Sequence, residues 1–378
     1  MKIKKIKAKV IFNSRGEQTI EITVNKKYTA SAPSGASIGR HEVKAFPKEG
    51  IPIDFVNKEL NKGLKGFKIN TFDDFRDLEE VLFKFDSTER LSKIGGNTII
   101  ALEFALLKAL SKNKIWKFLN PNPKKMPMPV GNCVGGGMHF RGTSTDIQEF
   151  LVIPKTKKFV DAALANQIIY KKIGKLLNAS LKTDEGAWVT DIGDDKVLDI
   201  MSKVVDGTVK QLGIEINLGI DVAASRLYED NFYKYRTKRL NRKQQISYIN
   251  SLIRKYNLFY VEDALEEEDF EGFKEINCEL NVGDDLICTN IERLKKSFVN
   301  AVIVKPNQIG SIVKTKELID YCKENDIVVI MSHRSGETMD TTISHLAVGW
   351  QCPYIKCGIF GKERSVKINE LRYIEREI

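Results

Sequence analysis

INLGID (216–221), LFYVED (258–263), LNVGDD (280–285), AVIVK (301–305) and DIVVIMSHR (326–334) decide the fold. Each is a short apolar run that ends on charge: Asp221, Glu262 with Asp263, Asp284 with Asp285, Lys305, and His333 with Arg334. Between these runs, Arg242–Tyr256, Phe270–Glu279 and Ile309–Glu324 carry the spacing of amphipathic helices. Strand and helix alternating every roughly 20–40 residues is the βα pattern of a parallel sheet or barrel. A barrel gathers the C-terminal ends of its strands at one mouth, where catalytic groups sit. Three acids from three strands then converge beside a lysine. A single strand-end acid can simply cap the next helix. An ordered set of three repels itself unless a hard cation lies among them, and oxygen-only ligands suit Mg²⁺. The pattern predicts a metal site.

Toward the N-terminus, residues 2–12, 18–24 and 28–32 alternate in the manner of an antiparallel meander. SAPSGASIGRHE (31–42) is small and polar. Such a loop can offer backbone groups and hydroxyls to a phosphate or metal, or simply lie on the surface. Helical spacing follows at Asp54–Leu64, Phe72–Phe85 and Asn97–Lys112, with Ile100, Phe104 and Leu107 on one face of the last. Four prolines within Leu119–Pro129 mark a linker. PVGNCV and DIQEFLVIP read as strands joined by the glycine-rich VGGGMHFRGTST, and helices at Phe159–Leu177 and Asp194–Gln211 bracket TDEGAWVTD. The expected architecture is an α/β barrel over residues 127–378, preceded by a smaller α+β N-terminal domain over residues 1–120.

The formal charge of +10 is spread along the chain, mostly as lysine. Only KIKKIKAK (2–9) approaches a basic block, and its alternation suits an edge strand with lysines facing water. A nucleic-acid arm would be denser and interleaved with aromatics, so no nucleic-acid partner is expected. The positive surface would still steer an anionic substrate. The six cysteines form no CxxC pair, as in a reduced cytoplasmic protein. With no apolar run of about 18 residues and no leader pattern, neither a membrane span nor secretion is expected.

SAPSGASIGRHE, DIQEF, TDEGA, LGIDVAAS, VEDALEEEDFEGF, VGDDLICTN, KPNQIG, SHRSGETMDTTISHLAV and IKCG follow one another along nearly the whole chain. In this order they resemble the enolase family (phosphopyruvate hydratase), and NSRGEQTIEITV (13–24) resembles its opening meander. SHRSGET and VGDDL with NQIG are the most specific of these motifs. The resemblance implies an enolase-type TIM-like barrel that eliminates water from 2-phosphoglycerate, a small phosphorylated substrate, using two Mg²⁺. Removing a proton beside a carboxylate builds a second negative charge on an anionic group, so concentrated positive charge is required. The superfamily is itself a standard example of a lysine base working with Mg²⁺, so that pairing is taken from the resemblance.

By the same resemblance, Asp221, Glu262 and Asp284 hold the tightly bound Mg²⁺, and Ser37 closes over the second. Lys305 is the general base, its pKa lowered by neighbouring cations. Lys356 holds the substrate carboxylate, and Glu185 protonates the leaving hydroxyl with Glu149 as its partner. Arg334 and Ser335 clamp the phosphate. His139 and His333 are the two active-site histidines, and His41 lies in the closing loop. Asp263 and Asp285, the second acids of their pairs, are not assigned by the resemblance and are expected only to brace the ligands beside them. A homo-oligomer, dimer or larger, is also implied.

The chain departs from the family's pattern in places. GDEGG reads TDEGA, so Thr183 and Ala187 replace glycines beside the acid. Lost access to positive φ is expected to shift that loop and slow turnover. NGG-S-H reads GGG-M-H, placing Gly135 and Met138 near His139, and Pro306 follows Lys305. These altered loops leave open a related dehydratase acting on another phosphorylated or carboxylated substrate, or a non-catalytic binding protein. Retention of the charged set argues against the last, because unused buried charge is costly.

Overall fold

Alternating apolar residues build a three-stranded antiparallel sheet from β1 (Ile6–Phe12), β2 (Gln18–Val24) and β3 (Tyr28–Ser31), in that order. Ile20, Ile22 and Val24 point into the core from β2. Asn25 and Lys26 turn the second hairpin with φ of 53° and 61°, the left-handed pair of a tight two-residue turn. Asn57 and Asn61, on the helical stretch 53–63, cover part of the β1 edge: their side-chain oxygens accept from Ala8 and Ile6 N–H at 2.7 Å. The computed structural model describes residues 1–35 and 39–378.

The helix Gly96–Ser111 was expected to show one apolar face, yet it is buried on nearly every side. It lies between the N-terminal sheet and the short helix Pro306–Ile309 of the barrel, so no face is left for water. Among the described residues, no helix is long and apolar enough to cross a membrane.

Eight strands close the barrel: β4 (Met128–Gly135), β5 (Glu149–Lys155), β6 (Glu215–Asp221), β10 (Leu258–Glu262), β11 (Leu280–Gly283), β12 (Ala301–Val304), β13 (Val328–Ser332) and β14 (Tyr354–Lys356). The intervening β7 (Tyr228–Glu229), β8 (Phe232–Lys234) and β9 (Arg239–Leu240) form a separate small sheet. Val130, Leu151, Tyr260, Val282, Ile303 and Ile330 fill the barrel's interior. The barrel is mixed, because β5 runs antiparallel to both β4 and β6. The segment joining β4 to β5 has only a single short 3₁₀ turn, Gly137–His139, and a connection without a crossover element pairs strands antiparallel.

Two helices differ from the sequence reading. Phe270–Glu279 forms only a 3₁₀ turn at Gly272–Glu275, with Gly272 N–H bonded to Asp269 Oδ1 at 2.9 Å. The chain must reach β11 within a few residues, which leaves no length for a full helix. Ile309–Glu324 is broken at Gly310, whose φ is 65°, and Ser311 N-caps a fresh helix Ile312–Glu324.

The N-terminal helices grip the start of this second helix with two buried acids. Glu79 accepts from Ser311 Oγ at 2.7 Å, and Glu103 Oε2 accepts from Ile312 N–H at 2.9 Å. Burial, followed by the neighbouring Glu79, holds the Glu103 carboxyl well above the usual carboxylate range. A raised acid binds its proton in the folded state where the unfolded chain has released it. Stability therefore falls as pH rises from the ordinary glutamate range toward the folded value. Glu103→Gln keeps an acceptor for Ile312 and removes the ionisation. Its Tm is expected to exceed that of the wild type by about 2 °C or more at pH 8. The gap should close near pH 5, and thermal melts across this range test it. A variant that melts lower than wild type at both pH values would contradict the assignment.

Candidate active site

The register of the barrel brings the charges together. Asp221, the last residue of β6, pairs across the ladder with Glu149, the first of β5, and with Glu262, the last of β10. Because β5 runs backwards, its first residue opens at the same mouth as the others' ends. Asp284, Lys305 and His333 follow β11, β12 and β13 directly, and Lys356 ends β14. Together with His139, Glu185, Arg334 and Ser335, most of these residues line a cavity of about 30 Å³. A groove of about 980 Å³ at the opposite end of the barrel, beside the starts of β4 and β14, contains none of these acids and stands apart from the chemistry.

One wall is lysine against carboxylate. Lys356 Nζ lies 2.6 Å from Glu149, 2.7 Å from Glu262 and 3.0 Å from Asp221. Burial would lower its pKa, but Asp221, Glu149 and Glu262 outweigh burial and hold it well above the usual lysine range. Lys305 Nζ contacts Asp284 Oδ2 at 2.5 Å, and Gln308 donates to Asp284 Oδ1 at 3.0 Å. The lowered pKa expected for Lys305 is not found in this arrangement. Burial, Arg334 and Lys356 do pull it down, but Asp284 holds it above the ordinary value.

Asp221, Glu262 and Asp284 fit a hard divalent cation. Glu262 Oε1 is buried and has no hydrogen-bond partner among the described residues. Burial, then Asp221, and further on Asp284, drive the Glu262 carboxyl well up, the signature of carboxylates lacking enough positive charge. Among the described residues, the ligand atoms that lie within 4.8 Å of one another are those of Asp263, Asp284 and Asp285 and those of His139, Glu149 and Glu185. Asp263 is spent on backbone, accepting from Asp284 and Asp285 N–H at 2.9 and 2.8 Å, so it braces the ligand strand instead. Ser37 lies outside the described residues.

The opposite wall is the acid side. Glu185 sits between two imidazoles, 3.7 Å from His139 Nε2 and 3.4 Å from His333 Nε2. Burial would raise its pKa, but the two histidines hold it well below the usual range. Glu149 moves the other way, to about 8, through burial against the pull of Lys356, with Glu185 and Asp221 adding to the rise. The two carboxyls are thus pushed in opposite directions, Glu149 toward its protonated form and Glu185 toward its ionised form. Burial would lower His139, yet Glu185 and Asp184 lift it to about 9.

At the rim, Arg334 Nη2 donates to Glu42 at 2.9 and 3.0 Å, and Nη1 donates to Asn307 at 3.1 Å. Glu42 also accepts from Gly39 N–H, while Arg40 pairs with Glu267 at 2.9 Å. His41 points away from the cavity, with its side chain 40% exposed, and contacts Glu268 at 2.5 Å. It fastens the rim; it does not line the site.

The replaced glycines cost no strain. Neither Thr183 nor Ala187 has a positive φ; Gly186 does, at 83°. Thr183 Oγ1 accepts from Ala187 N–H at 3.1 Å and closes the loop. A Cβ at Gly135 would lie 3.0 Å from Thr183 Cγ2 and 3.3 Å from Ala187 Cβ. The departures in the two loops therefore compensate: side chains gained at 183 and 187 occupy the room left at 135. The backbone at Thr183 and Ala187 itself therefore requires no shift of the loop.

Sequence reasoning missed three groups here. Gln148, next to Glu149, lines the cavity with Oε1 buried and unpartnered among the described residues. Gln308 orients Asp284, and Glu42 holds Arg334. All three lie inside motifs already singled out, but as neutral or distant residues they gave no pattern of their own.

Residues 3–119 match the sequence profile described as "Enolase, N-terminal domain", and residues 123–378 match "Enolase, C-terminal TIM barrel domain". Curated relatives named enolase include those of Picrophilus torridus, 38% identical over 100% of this chain and 99% of the relative, and Archaeoglobus fulgidus, 38% identical over 99% and 97%. A third, from Methanothermobacter thermautotrophicus, is 37% identical over 100% and 97%. The chain belongs to the enolase family, the Mg²⁺-dependent phosphopyruvate hydratases that convert 2-phosphoglycerate to phosphoenolpyruvate.

Proposed function

We propose that the two walls of the cavity divide the reaction between them. Lys305 takes the C2 proton, and the C–H electron pair moves onto the substrate carboxylate, which Lys356 holds. Arg334 and Ser335 hold the phosphate. The pair then returns to form the C2–C3 double bond and expels the C3 hydroxyl. Glu185 delivers the proton of the Glu149–Glu185 pair to it, and water leaves. His139 and His333 flank Glu185 and keep its carboxylate in place, while His41 helps fasten the loop that carries Ser37. Asp221, Glu262 and Asp284 would hold one Mg²⁺ and Ser37 would contribute to a second; when bound, these ions supply the positive charge that the doubly charged carboxylate needs.

The observation that carries this reading is the opposition of two lysines, Lys356 buried and Lys305 partly buried, to a glutamate flanked by two histidines across one small cavity. It separates a base from an acid, as an elimination requires. Glu185→Gln tests it. Phosphoenolpyruvate formation, followed by absorbance, is expected to fall by ~10²–10⁴-fold while C2 proton exchange with solvent continues. Equal loss of both would remove Glu185 from the acid role.

Residues 1–120 and 127–378 act as the two domains of a cytoplasmic homo-oligomer, a dimer or larger. Beyond the part covered by Asn57 and Asn61, β1 leaves Val10 and Phe12 exposed, Phe12 by 68%. An uncovered apolar edge favours association. Sedimentation at micromolar concentration should give at least a dimer, and Phe12→Lys should shift it toward monomer. A wild-type monomer would end this part of the reading.

A further inference from the structure

The hairpin between β1 and β2 leaves the N-terminal sheet and reaches the wall of the active site. Asn13 shapes it, its Oδ1 accepting from Arg15 N–H at 2.9 Å and Glu17 N–H at 3.0 Å. Ser14 fastens it to the barrel: its N–H donates to Glu337 O at 2.7 Å, and its Oγ donates to Ser335 O at 3.2 Å. Arg364 donates to the same Ser14 Oγ at 2.9 Å. So held, Arg15 has Nη1 3.3 Å from Ser335 Oγ and 3.7 Å from Asp184 Oδ2, with Nη2 3.0 Å from Glu17. Asp184 uses its other oxygen, Oδ1, on His139 Nδ1 at 2.9 Å, and its backbone N–H donates to His139 O at 3.3 Å.

We propose that Arg15 and Asp184 are positioning residues for the dehydration half of the reaction, tying the phosphate-holding Ser335 to the His139–Glu185 acid side. The carboxylate of Asp184 keeps a proton on His139 Nδ1 and fixes the plane of the ring, so that Nε2 faces Glu185. Arg15 balances the charge of Asp184 and aligns it from a point that also touches Ser335. Arg15 thereby gives the N-terminal domain a part in the acid side of the chemistry, besides Glu42 on Arg334. Among the described residues neither contacts Lys305 or Lys356, so once substrate is bound the removal of its C2 proton does not pass through either. This inference rests on the division of roles proposed above.

The test measures two rates on the same protein, C2 hydrogen exchange and phosphoenolpyruvate formation. Asp184→Asn and Arg15→Gln are expected to lower product formation by ~10–100-fold, the usual cost of losing a group that orients a functional histidine. Exchange at saturating 2-phosphoglycerate should stay within about twofold of wild type, which also shows that each variant is folded. Arg15→Lys should recover part of the loss. The double variant should be no worse than Asp184→Asn alone, because the two residues act as one unit. Exchange and product formation falling together, or neither falling, would overturn the inference, as would additive losses in the double variant. A wild-type protein that exchanges no C2 proton would instead overturn the reading on which it rests.

Discussion

Lys305→Ala is expected to leave the protein folded but unable to exchange the C2 proton of 2-phosphoglycerate with solvent. Lys305 and Lys356 are the two amines on the basic wall, and Lys356 is engaged by three carboxylates at 2.6–3.0 Å. Among the described residues Lys305 has one carboxylate contact, to Asp284, and it lines the cavity directly. It is the amine with the lesser commitment. Loss of a general base costs ~10²–10⁴-fold or more, and no neighbouring group stands in the same place. Deuterium incorporation from heavy water, read by NMR in the absence of net turnover, isolates the step. The change has a second consequence. Lys305 keeps Asp284 below the usual carboxylate range despite burial, so the variant should hold its proton at Asp284 to higher pH. Exchange at the native rate in Lys305→Ala would move the base elsewhere, and Lys356 would become the group to test.

Charged residues at the ends of apolar runs were legible because strand period and chain direction place them at one mouth whatever the sheet's details. That is why Asp221, Glu262, Asp284, Lys305 and His333 could be named from their strand ends, with Lys356 added by the family resemblance, and all of them come together. The direction of β5 was not legible, since nothing in DIQEFLVIP says which way the strand runs beside its neighbours. Its reversal is what places Glu149 at the mouth. The missing helix at Phe270–Glu279 is a matter of distance: apolar spacing was present, but the chain had to enter β11 too soon. The burial of Gly96–Ser111 on nearly every side depends on the barrel packed against it, which is information no local window contains. The loop compensation among Gly135, Thr183 and Ala187 is of the same kind, joining residues some fifty positions apart. Motif matching saw two separate losses there; packing shows one exchange of volume. Arg15 was hidden because its hairpin reads as an ordinary turn.

Exhaustive chelation is expected to abolish turnover, and Mg²⁺ is expected to raise the melting temperature of the protein. Both follow from the charge count at the mouth. Glu149, Asp221 and Glu262 surround the single ammonium of Lys356, and Lys305 serves Asp284. Burial and the neighbouring acids push Glu262 well above its ordinary range, so the folded state carries a repulsion that the unfolded chain does not. A divalent cation bound among these oxygens relieves that repulsion in the native state alone. At a concentration of 100 Kd the gain is about 2.7 kcal/mol. For domains of this size that corresponds to a rise of several degrees. Glu262→Gln should separate the two effects. With chelator present it removes one of the mutually repelling charges and should melt no lower than wild type. With Mg²⁺ present it should need a concentration at least ~10–100-fold higher for the same rise, since even a residue behind a metal ligand is worth that much. Thermal melts over a Mg²⁺ titration, for wild type and variant, give both comparisons in one experiment. Full activity after chelation, or a wild-type melting temperature indifferent to Mg²⁺, would show that the three carboxylates serve the lysines alone.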